Sequence, residues 1–296
     1  MQRYGALGEL VTFTNSKGLR LDGILYHNNA DRTTIIHVHG SFGNFYHNHF
    51  LRLMAKMYSD AGINFLSFNL SAHDGIAEAI RCKGKTEEWE YIGYSVVDFS
   101  TCIYDIEGAI DFVQQFSDRV VLQGHSLGCD RVLHFLTGKE ANYDFILLGP
   151  ADSYQLHKNW LAPETVEQQI TRLKAQTPVE NEYDWLPLCE YGIKQPPDFV
   201  YSIPITRKAL LSILEGPSFQ LIRIGSPVQF WLNQRAIIYM GGKDDYQTWP
   251  TEVMFKYFEE RIREVTRIFM PDSDHNFSGC EREVIGQIIE WVNSVN

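Results

Sequence analysis

The sequence predicts an α/β fold built on a mostly parallel sheet, and three observations carry that prediction. Short apolar or β-branched runs recur at 33–38, 64–68, 119–123, 145–148, 236–240 and 265–269. Between them lie segments with apolar residues at helical spacing. The two kinds of segment alternate along the chain, and strands that alternate with helices pack as a parallel sheet covered on both faces.

Each element has its own local justification. Residues 10–14 and 21–26 alternate apolar and polar side chains around Asn15, Lys17 and Gly18, which predicts an antiparallel hairpin. The strand at 33–38 runs into His39-Gly40. A helix over 49–61 follows from Phe50, Leu51, Leu53, Met54 and Met57 and stops at Gly62. After the strand at 64–68, residues 69–97 read as a long irregular connection. Helical period returns over 98–116 through Ile103, Ile106, Ile110 and Phe112. The strand at 119–123 leads to a helix over 129–137, and the strand at 145–148 ends at Gly149-Pro150. Beyond 235 come the strand 236–240, a helix 251–262, the strand 265–269 and a last helix 281–295.

From 151 to 234 the alternation breaks into a stretch rich in proline and aromatic residues, with partial helical period over 156–174 and a break at Pro196-Pro197. The chain therefore divides into a core, 1–150 with 235–296, and an insertion, 151–234. At 296 residues with 44% hydrophobic content it is long enough to bury a large core.

A net charge of −11 disfavours nucleic acid and anionic membrane surfaces as partners, since both call for basic patches. No apolar run approaches the roughly 18 residues of a membrane span, and the first residues lack the apolar core of a signal peptide. Cys82, Cys102, Cys129, Cys189 and Cys280 are odd in number and lack CxxC spacing, which fits free thiols in a reducing, cytoplasmic setting.

The chemistry centres on Gly124-His125-Ser126-Leu127-Gly128, between a strand and a helix. A sharp strand-to-helix turn needs small residues on both sides, and it leaves the Ser126 hydroxyl in the open. The Leu127 amide then stands at a helix start, where N–H groups lack partners and negative charge is favoured. A serine hydroxyl becomes a good nucleophile when a histidine takes its proton and a carboxylate orients that histidine. Two later strand ends supply candidates: Gly241-Gly242-Lys243-Asp244-Asp245 and Pro271-Asp272-Ser273-Asp274-His275. Ser126, an aspartate and His275 would then project from the carboxyl edge of one sheet, where open α/β sheets place their sites.

With GHSLG at the serine turn, HGSFGN after the third strand, GGKDD and DSDHNFSG, the chain resembles the α/β-hydrolase superfamily over nearly its whole length. NLSAHDG at 69–75 is similar to the NxRGHD loop of these enzymes, with serine and alanine in place of Arg-Gly. A closer likeness is to esterase-like members with GHSxGC, which include siderophore-ester hydrolases. The resemblance implies the α/β-hydrolase fold: about eight strands, mostly parallel, helices on both faces, an inserted lid, and no metal or organic cofactor.

It also implies roles. Ser126 would be the nucleophile, His275 the base and Asp244 the acid, with Asp245 and Asp152 as rival acids. Leu127 and Ser41 would donate their amides to an oxyanion, with Phe42 the near neighbour of Ser41. Asp272 and Asp274 sit too close to His275 along the backbone and suit turn formation and N-capping of the final helix.

The remaining candidates have plainer readings. His125 packs beside the serine, and His37 and His39 are structural despite their HxH spacing. His47 and His49 border the pocket or begin the following helix, and neither has further ligands at a useful spacing. His73 belongs to a turn, Cys129 is a small buried residue, and Glu87-Glu88-Trp89-Glu90 is a solvated surface. Aromatics of the insertion would both bind substrate and form the insertion's own core, and exposed ones would suit a homodimer interface.

The expected activity is hydrolysis of a carboxylic ester, lactone or thioester of a hydrophobic or aromatic small molecule. An acyltransferase, cyclising enzyme or peptidase would use the same residues. A binding protein on this scaffold is the reading from a different class.

Overall fold

The computed structural model describes residues 8–27, 33–161, 163–176, 183–187, 192–195 and 199–294. Eight strands form one sheet: β1 (Glu9–Thr14), β2 (Arg20–Tyr26), β3 (Thr33–Val38), β4 (Asn64–Phe68), β7 (Arg119–His125), β8 (Phe145–Leu148), β11 (Leu232–Gly241) and β12 (Ile262–Met270). Their spatial order is β1-β2-β4-β3-β7-β8-β11-β12. β2 pairs antiparallel with both β1 and β4. Every pairing from β4 to β12 is parallel.

The central strands are buried on both faces, so successive apolar residues serve two different cores. Ile35, Val121, Ile146 and Ile237 face a core with Phe50, Tyr58, Ile285 and Trp291. Those partners come from α1 (Leu51–Asp60), its preceding residue Phe50, and α8 (Glu281–Asn293). The next residues, Ile36, Leu122, Leu147 and Ile238, face the opposite core with Ile106, Val132, Leu136 and Phe258. These belong to α2 (Cys102–Val113), α3 (Leu127–Gly138) and α7 (Thr251–Glu259).

The expected strands and helices are all present, with ends moved by a few residues. The predicted helix over 98–116 is shorter. A 3₁₀ turn at Phe99–Thr101, whose Asp98 side chain accepts from the Ser100 amide, precedes α2.

One expectation is overturned: 69–97 is not an irregular connection throughout. It holds an antiparallel hairpin, β5 (Ala77–Lys83) with β6 (Thr86–Ile92). Its two-residue turn places Gly84 first with φ +64° and Lys85 at ordinary φ, the pattern of a type II′ turn. The alternation that normally betrays a strand is missing because β6 is exposed over nearly its whole length, and Ala79 and Ile80 are both buried in β5.

Between β8 and β11 the chain makes α4 (Ser153–Leu161), α5 (Val166–Ala175), a two-stranded pair of β9 (Gly192–Gln195) and β10 (Phe199–Ser202), and α6 (Arg207–Leu214). α4 and α5 account for the partial period over 156–174. The expected break at Pro196-Pro197 lies outside the described residues. Among the described residues, nothing in this segment joins the eight-stranded sheet.

The serine turn depends on close backbone approach. A Cβ on Gly128 would lie 2.1 Å from the Val38 carbonyl oxygen, and one on Gly124 would lie 2.5 Å from the Gly128 oxygen. Both clashes are with backbone, which cannot swing aside. Gly128→Ala is therefore expected to destabilise the fold by about 3 kcal/mol or more, at or above the upper end of ordinary overpacking. Urea unfolding measures this; a midpoint equal to that of the unaltered protein would contradict it.

Candidate active site

Ser126 stands between β7 and α3 with φ 55° and ψ −129°. This is left-handed backbone for a residue that carries a Cβ, a strained conformation that persists only when its surroundings enforce it. The Ser126 amide donates to the Leu148 carbonyl (2.9 Å), and the Cys129 amide donates to the Ser126 carbonyl (2.8 Å). Cys129 is fully buried, with its thiol toward the Gly124 and Leu148 carbonyls.

His275 lies in the loop after β12, and Asp244 in the loop after β11. The His275 ring donates from Nδ1 to Asp244 Oδ2 at 2.8 Å. The other carboxylate oxygen accepts from the Tyr246 amide at 2.9 Å. The Asp244 carboxylate is shielded completely from solvent, while Asp245 is exposed. With Nδ1 donating to the carboxylate, Nε2 of a neutral ring is left as an acceptor.

β8 separates β7 from β11, and Gly149, the residue after it, has φ +60°. A Cβ there would stand 3.2 Å from His275 Nδ1 and 3.5 Å from Asp244 Oδ2, so the missing side chain leaves room for the pair. The two loops are also tied to each other: Gly242 donates to Met270, and Lys243 to Ser273.

Asp152 is engaged elsewhere. It accepts from the Gln155 and Ile224 amides and from the Trp249 indole, and burial raises its carboxyl above the usual range. Asp272 pairs on the surface with Lys243 at 2.8 Å. Asp274 accepts from the Asn276 and Ser278 amides, as a turn residue does. The expected N-capping of the final helix is wrong: the N-cap of α8 is Cys280, which caps with no side-chain hydrogen bond, because the loop adds another turn before the helix starts.

Ser126 and His275 open into one cavity of about 700 Å³. Ser41, Phe42 and Leu127 line it beside Ser126. Its far wall comes from the segment after β8, including Leu156, His157, Trp160, Ile203 and Phe219. No lysine, arginine, aspartate or glutamate is among the described residues of the lining.

The sequence matches no family profile and no curated protein. Among solved structures, the chain is similar to the siderophore hydrolase EstB from Aspergillus fumigatus, with a TM-score of 0.65 at 13% identity over 99% of both chains. It is also similar to Est1E from Butyrivibrio proteoclasticus, solved with ferulic acid bound: TM-score 0.63, 14% identity, 96% of this chain and 98% of that one. The esterase Pf2001 from Pyrococcus furiosus gives a TM-score of 0.60 at 14% identity over 98% of this chain and 92% of that one. The chain has the α/β-hydrolase fold.

Within this α/β-hydrolase fold, the structure adds partners that sequence reasoning missed. His125 does pack beside Ser126, against Phe50 and the His275 ring. Its ring also bridges two segments. Asn48 donates to Nδ1 (3.1 Å), so Nε2 carries the proton and donates to the His275 carbonyl (3.0 Å). Burial keeps this imidazole far below its ordinary pKa, hence neutral. The Tyr246 ring lies tilted against that of His275, with centroids 4.5 Å apart. No spacing rule points to Asn48, since its partner lies 77 residues away.

Other histidines take ordinary places. His37 accepts from Gln123, His73 pairs with Asp74 in a turn, and His49 meets Glu281, while His47 lines the cavity. Among the described residues, no group of histidine, cysteine, aspartate or glutamate could hold a metal ion. No helix among them is long and apolar enough to cross a membrane. Of the aromatics between β8 and β11, Trp160 and Phe219 line the cavity, whereas Phe230 packs on the main core shared with the sheet. Trp231 is exposed.

His157, in the cavity wall, donates from Nε2 to Gln169 at 2.8 Å. Burial lowers its pKa from 6.5 to about 4. Between those values the unfolded chain holds a proton that the native protein lacks. Its contribution is therefore complete above pH 6.5 and is lost on acidification toward pH 4, by up to about 1.4 kcal/mol per pH unit. Urea midpoints of the unaltered protein and of His157→Gln, compared between pH 7.5 and 4, should converge as the pH falls. Curves that stay parallel would contradict this.

Proposed function

We propose that the protein is a serine hydrolase that cleaves the ester bond of an uncharged, largely apolar small molecule. The observation that supports this most directly is the buried Asp244–His275 hydrogen bond at 2.8 Å beside a serine held in strained backbone in the same cavity. Such a pair prepares a base with its tautomer fixed.

In this reading Ser126 Oγ attacks the ester carbonyl while His275 Nε2 takes its proton. The tetrahedral oxyanion is held by the Leu127 and Ser41 amides, donors worth roughly 3–4 kcal/mol each when removed singly. The C–O bond breaks, and the alkoxide leaves with the proton from His275. Water, deprotonated by the same ring, then releases the acid from the acyl-enzyme. Asp244 orients the ring and stabilises the imidazolium.

The substrate class rests on the cavity. The described residues of the wall include no Lys, Arg, Asp or Glu to compensate an ionic substrate for losing its hydration, whereas Trp160, Phe219, Leu156 and Ile203 offer apolar contact. In this reading the described residues between β8 and β11 that line the pocket act as its lid, excluding water and selecting by shape. The solved relatives, whose names include esterase and siderophore hydrolase, support ester cleavage at the general level. The unpaired thiols of Cys82, Cys102, Cys129 and Cys280 fit a reducing, cytoplasmic setting.

A fluorophosphonate probe should label Ser126, located by mass spectrometry, and neutral p-nitrophenyl esters should compete with it. Ser126→Ala should abolish labelling and lower ester turnover by at least about 10³-fold with the fold intact. Asp244→Asn should cost on the order of 10⁴-fold in kcat, with Asp245→Asn and Asp152→Asn near the unaltered rate. Turnover that survives Ser126→Ala would defeat the assignment. Product analysis with competing amines and alcohols separates hydrolysis from acyl transfer.

A further inference from the structure

Arg131, one turn into α3, is fully buried. Among the described residues it makes no ion pair with a carboxylate, and Nε and Nη2 have no hydrogen-bond partner. Its one hydrogen-bonding nitrogen is turned on the loop after β3. Nη1 donates to the His39 carbonyl at 2.8 Å and to the Gly40 carbonyl at 3.2 Å.

The Gly40 carbonyl is held twice more. The Gly43 amide donates to it at 3.3 Å. The Leu70 amide donates to His39 Nε2 at 3.2 Å, so the proton of that neutral ring sits on Nδ1 and is given to Gly40 O at 3.0 Å. Gly40 itself abuts the serine: a Cβ on it would lie 2.9 Å from Ser126 Cβ and 3.4 Å from Ser126 Oγ.

We propose that Arg131, assisted by His39, is a positioning residue that sets and strengthens the Ser41 oxyanion donor. The proposal rests on the hydrolase reading above. Two physical arguments carry it. In a trans peptide the carbonyl and the following N–H point in opposite directions, so three donors fixing the Gly40 carbonyl also fix the direction of the Ser41 N–H, and Ser41 lines the cavity. Second, a cation on the carbonyl polarises the same peptide and makes its N–H a stronger donor, an effect that grows in a dry interior.

The cation is also poorly neutralised. The carboxyls that act on it electrostatically, Asp105 and Asp130, are buried, and burial drives both upward, toward the neutral form. The Phe99 ring lies 5.8 Å from its guanidinium carbon. A charge that costs this much desolvation and, among the described residues, spends its carbonyl hydrogen bonds on the serine-side loop is placed for that loop.

The test compares the unaltered protein with Arg131→Met and Arg131→Lys on a neutral p-nitrophenyl ester. Each is also titrated with a trifluoromethyl ketone, which forms an oxyanion on Ser126, and with the matching methyl ketone, which resembles the ground state. Arg131→Met should lose about 100-fold in kcat, with KM and methyl-ketone affinity within about threefold. Trifluoromethyl-ketone affinity should fall in parallel with kcat. Arg131→Lys, which keeps a buried donor without the fork, should fall between, and it carries the comparison alone if Arg131→Met does not fold. Unchanged kcat, or equal losses for both ketones, would overturn the proposal. Absence of Ser126 labelling in the unaltered protein would instead defeat the hydrolase reading itself.

Discussion

The carboxyl edge of this molecule depends on how closely the start of α3 approaches β3 and β7. Gly128 meets the Val38 carbonyl, and Gly124 meets Gly128, at separations that admit no Cβ. That contact forces the chain to reverse within one residue, and Ser126 absorbs the reversal in a backbone conformation that side chains normally avoid. It also draws α3 under the loop after β3, bringing Arg131 within hydrogen-bond reach of two carbonyls there. Serine turn, loop and buried cation thus share one close approach.

Parallel strand order completes the arrangement. β7, β8, β11 and β12 are neighbours running the same way, so their following loops emerge side by side. Asp244 and His275 come from adjacent strands, which is why a 2.8 Å bond forms between residues 31 apart. Ser126 lies two strands from Asp244, and Gly149 keeps the intervening strand end from filling the gap. Carboxylates such as Asp244, Asp272 and Asp274 stand on the loops of this edge, yet among the described residues the cavity lining carries no Asp, Glu, Lys or Arg.

Much of this was legible in the sequence because strict local demands left a local trace. Two glycines around a serine, a strand before and a helix after, and strand ends bearing Asp244 and His275 each express a backbone or chain-order requirement. The β5–β6 hairpin was not legible, since strand detection relies on one buried face and β6 has almost none. The capping role expected of Asp274 failed because a loop residue's hydrogen bonds depend on where the helix begins, which periodicity fixes poorly. Asn48, His125 and Arg131 act through tertiary contacts 77 to 150 residues away, or through backbone carbonyls that carry no sequence signature. Arg131 had one indirect sign: Val132, Leu133, Phe135 and Leu136 occupy more than one face of α3, leaving little solvent face for a charge.

The route of the chain from β8 to β11 has a consequence of its own. These strands are parallel neighbours, so the chain leaves β8 at the carboxyl edge and must return to the amino edge before β11 starts. Such a crossover has a minimum length but no maximum. α4, α5 and α6 are detours on that return, and the pocket wall that α4 and α6 help supply is independent of the register that aligns Asp244 with His275. Insertions, deletions and rewritten side chains can accumulate there while the paired strands keep their alignment. The shape of the pocket wall can thereby diverge over evolutionary time while Ser126, Asp244 and His275 keep their places on the sheet.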